Sequence, residues 1–315
     1  MSFLDDLRAG LAATPKRIAP KWLYDEEGSR LFDEICLLPE YYLTRVEASI
    51  LRARAADLVH LATDGGRARV RVVEPGAGSG AKTRLLLRAL GPDRCAAYAP
   101  VDISREHLES SANAIRADLP WLRVTPSCED FCAPRPPRVR QPPDGERTLV
   151  FFPGSTIGNF EPSEAETLLA RFAEDAGPTG LVVVGVDLRK DPALLHAAYN
   201  DARGVTAAFN RNVLVRANRE LGADFRPEAF SHYAYYAPVP GRIEMHLVSR
   251  GRQTVSVGGA RFTFEDGESL HTECSYKWDL RALEQLARRA GLVVREVFCD
   301  ERRRFGVLVL EPVTS

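Results

Sequence analysis

The sequence predicts an α/β fold: a Rossmann-like, doubly wound and mostly parallel sheet that ends in an antiparallel strand, joined to a smaller α+β domain. Three observations predict it. Short runs of valine and leucine alternate with helical patterns of about ten to fifteen residues, the signature of strand–helix–strand units. The first of these runs ends in a glycine-rich turn that opens a helix, VVEPGAGSG at residues 72–80. Two long segments, residues 1–60 and about 190–278, stand outside the alternation.

Residues 70–74, rich in valine, read as the first strand, and residues 82–90, with leucines at helical spacing among arginines, as the helix after the turn. Residues 96–101 follow as a second strand, 105–119 as a helix stopped by Pro120, and 122–126 as a third strand. Residues 149–152 and 181–186 are apolar strands on either side of a helix over Pro162–Ala176, begun by Glu161 or Ser163. The chain closes with a helix at 280–290, Gly291 beyond its cap, and strands at 293–299 and 305–310. A terminal hairpin of this kind slots an antiparallel strand into a parallel sheet, the usual ending of class I methyltransferase folds.

Residues 133–145 carry five prolines and read as a surface loop. In the late insertion, residues 242–248, Gln253–Val257 and Ala260–Phe264 read as an antiparallel meander turning at Gly258-Gly259. The expected division is a sheet domain of residues 61–195 and 279–315, and a substrate domain of residues 1–60 and 196–278. The substrate domain is expected over the carboxyl ends of the parallel strands, where ligands bind in this architecture.

The length, 315 residues, suits a sheet domain with such an insertion, and 45% apolar with 27% charged residues is enough for a full core. Apolar runs such as residues 181–186 are too short to cross a bilayer, and the N-terminal segment, with Asp5 and Asp6, lacks a signal-peptide core. The expectation is a soluble cytoplasmic monomer. A net charge of −1 with dispersed basic residues predicts no nucleic-acid partner. Six scattered cysteines read as reduced thiols, and Cys128 and Cys132 lack a second ligand pair at zinc spacing, so no metal is expected.

The glycine turn admits three readings. Gly76 through Ala81-Lys82-Thr83 misses a phosphate-binding P-loop by the glycine before the lysine, with Asp187 placed to imitate a metal-site acid. A dinucleotide site would use Ala81 as the third small residue and Asp102 for a ribose. S-adenosylmethionine, with one ribose and one adenine, would use Asp102 after the second strand, and Asp130-Phe131 after the third, one accepting from the adenine amine and one covering the ring. Glu74, at the end of the first strand, suits a cationic ligand better than a pyrophosphate. Singly each acid reads as a solvated loop carboxylate; their joint placement after three successive strands favours the third reading.

Further blocks carry polar and aromatic residues that folding does not demand: residues 21–25 (KWLYD), 38–45 (LPEYYLTR), 151–159 (FFPGSTIGN), 204–212 (GVTAAFNRN), 242–245 (RIEM) and 272–277 (TECSYK). Together they closely resemble the ergothioneine-pathway histidine Nα-methyltransferases, which convert histidine to its trimethylated betaine, hercynine. The resemblance runs from about residue 8 to the last strand. It implies an S-adenosylmethionine site lined by Tyr24, Gly76, Lys82, Asp102, Asp130 and Phe131, releasing S-adenosylhomocysteine. It implies a histidine site lined by Tyr41, Asn159, Tyr199, Met245, Glu273 and Ser275, with Phe32 and Gly154 close to the amine and Tyr24 orienting it.

These roles are chemically sensible. Asn159 and Tyr199 can donate to the substrate carboxylate. Glu273 and Ser275, two apart on an extended segment, point to one side and can pair with the two imidazole nitrogens. The bland readings are core tyrosines at 41 and 199, a helix cap at Asn159 and a strand-surface charge at Glu273. An indole substrate such as tryptophan, or a non-catalytic sensor of S-adenosylmethionine, are the rival functions. The chain departs from the family pattern at Pro75, Ala77, Gly80 and in the proline-rich loop, positions that shape backbone.

Overall fold

The computed structural model describes residues 2–133 and 143–313, so most of the expected proline-rich loop, residues 134–142, lies outside the described residues. The chain divides into two compact units, Met1–Tyr42 with Lys190–Tyr276 and Leu43–Arg189 with Lys277–Ser315.

The second unit is built on a seven-stranded sheet. Its spatial order is Leu292–Cys299, Phe305–Pro312, Leu181–Asp187, Glu146–Phe152, Arg69–Pro75, Cys95–Asp102 and Ser127–Cys128. The last five run parallel, and Phe305–Pro312 slots antiparallel between Leu181–Asp187 and the terminal partner Leu292–Cys299. All seven residues of Leu181–Asp187 are buried, which is why that strand reads as an unbroken apolar run rather than an alternation. Helix Pro162–Ala176 begins at Glu161, whose side chain and that of Glu164 form a reciprocal capping box. Asn159 is therefore not its cap.

The third strand is less regular than the sequence suggests. Val124 makes one isolated bridge to Tyr98, and the ladder resumes only at Ser127–Cys128. Pro126 between them has no N–H to donate, so regular pairing cannot run through it, and the segment is tolerated because it is the sheet edge.

The first boundary falls at residue 42 rather than near residue 60. Helices Tyr42–Ala53 and Ala55–Ala62 bury Val46, Ile50, Leu51, Leu58, Val59 and Ala62, and Glu47 on the first of them bonds to groups of the sheet unit. An apolar stripe of this width needs a core to cover it, and the sheet unit supplies one.

The first unit holds a four-stranded sheet, in order Lys16–Arg17, Ser269–Tyr276, Arg242–Ser249 and Phe230–Ala237. Strands Gln253–Val257 and Ala260–Phe264 form the expected hairpin, turning at Gly258 and Gly259 with φ of 55° and 82°. Strand Arg242–Ser249 is not part of that meander. Its buried residues Ile243, Met245 and Leu247 instead pair with two neighbours of equal length whose histidines, tyrosines and serines hide the strand pattern.

Helices Glu26–Leu37 and Val205–Leu221 are tied by Asp25, which caps the first through the Gly28 N–H at 2.8 Å and accepts from Asn212 Nδ2 at 2.7 Å and Arg219 Nη2 at 2.5 Å. Gly28 must be glycine: a Cβ there would lie 1.8 Å from the Leu23 carbonyl oxygen.

Candidate active site

In the sheet unit, three successive strand ends build a cradle. Strand Arg69–Pro75 leaves the sheet at Gly76, whose N–H and that of Ala77 reach the Val101 carbonyl at 2.8 and 3.1 Å. Gly76, Gly78 and Gly80 have φ of 67°, 50° and 65°, the left-handed region that a side chain disfavours. A Cβ on Gly76 would also reach 3.4 Å from Phe131 Cε1, so the bare backbone lets the ring lie against the turn.

Asp102, at the end of the second strand, accepts from the Gly78 and Ser104 N–H groups, each at 3.0 Å. Asp130 accepts from the Cys132 N–H at 2.9 Å, a local turn that spans Phe131. Phe131 stands edge-on to Phe152 and Phe160, with centroids at 5.8 and 6.3 Å, and the latter residue follows Asn159 in the chain.

This geometry opposes the P-loop reading of the turn. The Gly78 amide, which a P-loop would offer to phosphate, is already given to a carboxylate that would repel phosphate. Asp187 is ion-paired with Lys277 Nζ at 3.1 Å, both fully buried, and so does not serve as a metal-site acid. A glycine turn against the Phe131 ring, with Asp102 after the second strand and Asp130 after the third, is compatible with the adenosyl reading.

Glu74 plays a different part from the one its position suggests. It is fully buried and accepts from the Thr83 and Tyr98 hydroxyls, so it stabilises the turn from beneath rather than meeting a ligand. Burial outweighs those two hydrogen bonds and pushes its carboxyl up to about 7.

Lys82 is the second residue of helix Ala81–Arg94, and its ammonium contacts Glu47 Oε2 at 2.7 Å. The same carboxylate accepts the Gly154 N–H at 3.0 and 2.9 Å. Gly154, at φ 87°, and Asn159, closing the 3-10 turn Thr156–Asn159, follow the strand Glu146–Phe152. Sequence reading missed Glu47: an acid on an amphipathic helix is indistinguishable from a surface charge until its burial is known.

The first unit gathers the remaining residues. Tyr24, Phe32, Tyr41, Tyr199 and Phe209 form a chain of ring contacts with centroids 5.3–6.2 Å apart. Phe209 had no signal beyond its block, since an aromatic at helical spacing reads as core. Burial raises the Tyr41 hydroxyl well above its usual range, with Tyr199 adding to the effect, so it remains a neutral donor.

Glu273 and Ser275 lie on Ser269–Tyr276, buried, opposite Met245 and Ile243. A bulge between His271 and Glu273 shifts the alternation by one, so these two polar side chains join the face that Leu270 and Leu247 occupy further along. The Tyr199 hydroxyl donates to Ser275 Oγ at 2.8 Å. His232 holds Tyr199 from behind: Nε2 donates to the Tyr199 carbonyl at 2.9 Å and Nδ1 accepts from Asn210 Nδ2 at 3.0 Å.

Glu244, His246 and His271, across the same two strands, are the group whose ligand atoms lie within 4.8 Å of one another among the described residues. The Glu244 carboxylate is already met by Arg242 at 2.7 Å and the Tyr235 hydroxyl at 2.7 Å, which opposes a dication there. None of the six cysteines is joined in a disulfide.

A parallel sheet with an antiparallel strand next to its edge, and a glycine turn after its first strand, is the class I, Rossmann-like architecture of S-adenosylmethionine-dependent methyltransferases. Comparison with known sequences narrows the class. The model of the S-adenosylmethionine-dependent, histidine-specific methyltransferases matches residues 3–312, and the chain belongs to that family. It is 42% identical to the histidine N-alpha-methyltransferase of Mycobacterium tuberculosis (strain CDC 1551 / Oshkosh), over 96% of this chain and 92% of that protein. The protein of the same name from Mycolicibacterium smegmatis is 41% identical over the same shares. Ergothioneine biosynthesis protein 1 of Neurospora crassa is 30% identical over 87% of this chain and 32% of that longer protein. The substrate is thus a small-molecule amino acid, and no helix among the described residues is long and apolar enough to cross a membrane.

Proposed function

We propose that this enzyme transfers three methyl groups to the α-amine of L-histidine, giving hercynine for ergothioneine biosynthesis. The observation that carries it is the Tyr199–Ser275 hydrogen bond beside Glu273 on one buried strand face.

Ser275, accepting from Tyr199, donates its own O–H to the unprotonated imidazole nitrogen of the substrate, while Glu273 accepts from the ring N–H. Neutral histidine offers one donor and one acceptor in its ring, and an indole only a donor. A tryptophan would give the Ser275 hydroxyl no ring acceptor, a loss of about 1–3 kcal/mol for a buried group. Tyr41 and Met245 form apolar walls, and the Asn159 amide donates to the substrate carboxylate.

S-adenosylmethionine, when bound, supplies an electrophilic methyl group on a sulfonium. Gly76, Lys82, Asp102, Asp130, Phe131 and Tyr24 would hold it. Tyr24 orients the amine and Gly154 leaves room beside it. The faces of Tyr24, Phe32 and Phe209 attract the nitrogen as it becomes a quaternary cation. Before each transfer the α-ammonium gives up one proton to water, and the freed lone pair forms the N–CH3 bond as the S–CH3 bond breaks and S-adenosylhomocysteine leaves; positioning the amine for that displacement is the main catalytic device.

The test is incubation of the enzyme and methyl donor with histidine, tryptophan and other amino acids in turn, with products weighed by mass spectrometry. Histidine gaining one, two and then three methyl groups is the expected outcome. Methylation of tryptophan in preference to histidine, or of histidine only once, would overturn it.

A further inference from the structure

Glu47 is a buried acid, 1% exposed at its side chain, that touches two parts of the proposed site at once. Its Oε2 pairs with Lys82 Nζ at 2.7 Å, and both oxygens accept the Gly154 N–H. Lys82 is 19% exposed at its side chain, so it is less enclosed than the acid it pairs with. The surroundings are shaped for the carboxylate: a Cβ on Gly185, in Leu181–Asp187, would lie 2.0 Å from Glu47 Oε1, and one on Gly154 would lie 3.0 Å from Lys82 Nζ. Two glycines and two helices therefore converge on one negative charge.

The charge matters because of what the site takes. The methyl donor carries a sulfonium, an ammonium and one carboxylate, a net cation, whereas its thioether product has lost the sulfonium charge. A lone lysine in the site would repel the donor more than the product, the wrong preference for turnover. We propose that Glu47 is a positioning residue that neutralises Lys82 and so sets the preference of the site for the cationic donor over its neutral product. Lys82 then acts as an N–H donor without contributing net charge, and Gly154 is fixed by the same carboxylate. The inference rests on the reading above, in which Lys82 lines the donor site.

Opposite charge changes must then have opposite effects. Calorimetric titration of the purified protein with S-adenosylmethionine and with S-adenosylhomocysteine, without histidine, gives the ratio of the two dissociation constants. Glu47→Gln leaves an uncompensated cation and is expected to shift the ratio about fivefold or more toward the product at low salt. Lys82→Met leaves an uncompensated anion and shifts it toward the donor by a similar factor, about fivefold. The double variant returns to near the wild-type ratio even where both affinities are weakened, and high salt shrinks both single effects.

If Glu47→Gln lowers the melting temperature or both affinities equally while the ratio stays put, Glu47 is merely structural and the inference fails. Shifts of the same sign in both single variants overturn it as well. Wild-type protein that binds both ligands but leaves histidine unmethylated would defeat the proposed function while leaving this inference standing. Wild-type protein that methylates histidine while the ratios do not move would defeat this inference alone.

Discussion

The Tyr199 hydroxyl donates to Ser275 Oγ at 2.8 Å, linking the end of helix Pro192–Tyr199 to the end of strand Ser269–Tyr276. Two residues 76 positions apart thereby become one unit, in which the tyrosine aims the serine hydroxyl. Ser275→Ala removes that hydroxyl and is expected to raise the KM for histidine roughly tenfold, the loss of about one buried hydrogen bond. Tyr199→Phe leaves the serine present but unaimed and should have a smaller effect. Steady-state kinetics with a parallel titration of the cofactor check this. Comparable losses of histidine and cofactor affinity in Ser275→Ala would place the pair outside the substrate site.

Glu273 is the partner assigned to the ring N–H, and it is buried on the same strand face. Glu273→Ala is expected to weaken histidine binding by about 1.5–3 kcal/mol, the scale for a hydrogen bond to a charged group. Cofactor binding should change by less than a factor of about two, because no uniform binding of both ligands runs through this side chain. Isothermal titration with each ligand separately distinguishes the two. An unchanged histidine affinity would restore the reading of Glu273 as an ordinary strand carboxylate.

The sheet was legible because its strands are buried on both faces and its glycine turn is local. Leu181–Asp187 is continuous apolar sequence, and VVEPGAGSG ends a strand and opens a helix within one short window. The four-stranded sheet of the first unit was not. Phe230–Ala237 and Ser269–Tyr276 carry His232, Tyr235, His271, Glu273 and Ser275 in their interiors, so polar residues stand where an alternation rule expects apolar ones. The bulge before Glu273 changes which face a residue occupies, and that shift depends on the partner strand rather than on local composition. Glu47 and Glu74 failed as sequence signals in opposite senses: Glu47 reads as a surface charge and is a buried hub, while Glu74 reads as a ligand contact and is a buried brace.

Burial lowers the pKa of His232 and His246, and lowers His271 to about 4 with His246 adding to the effect. Unfolded histidines titrate near 6.5, so below that pH the unfolded chain binds protons that these rings in the native state refuse. Stability is therefore full above about pH 6.5 and is lost as the pH falls toward the native-state values. His232 has the clearest structural reason, because a proton on Nδ1 would face the Asn210 amide hydrogens. The melting temperature should fall between pH 7 and pH 5, and His271→Asn should flatten that fall. A wild-type melting temperature that rises on acidification through this range would contradict it.

Glu74 bears on the same curve with the opposite sign. Its carboxyl is raised to about 7 from an ordinary 4.5, so the native state holds a proton that the unfolded chain has released across that interval. Its contribution is fully present below about 4.5 and disappears as the pH rises through about 7; at pH 8 the protein carries a fully buried carboxylate braced by Thr83 and Tyr98. Glu74→Gln keeps the shape and lets both hydroxyls reorient, since each can accept from the amide as readily as donate to it. Glu74→Gln is thus expected to be more stable than wild type at pH 8 by about 1–3 kcal/mol, with the advantage shrinking toward pH 5. Chemical denaturation at the two pH values measures it. A variant equally destabilised at both would show that the carboxylate is held by its two hydroxyl donors well enough to outweigh its burial.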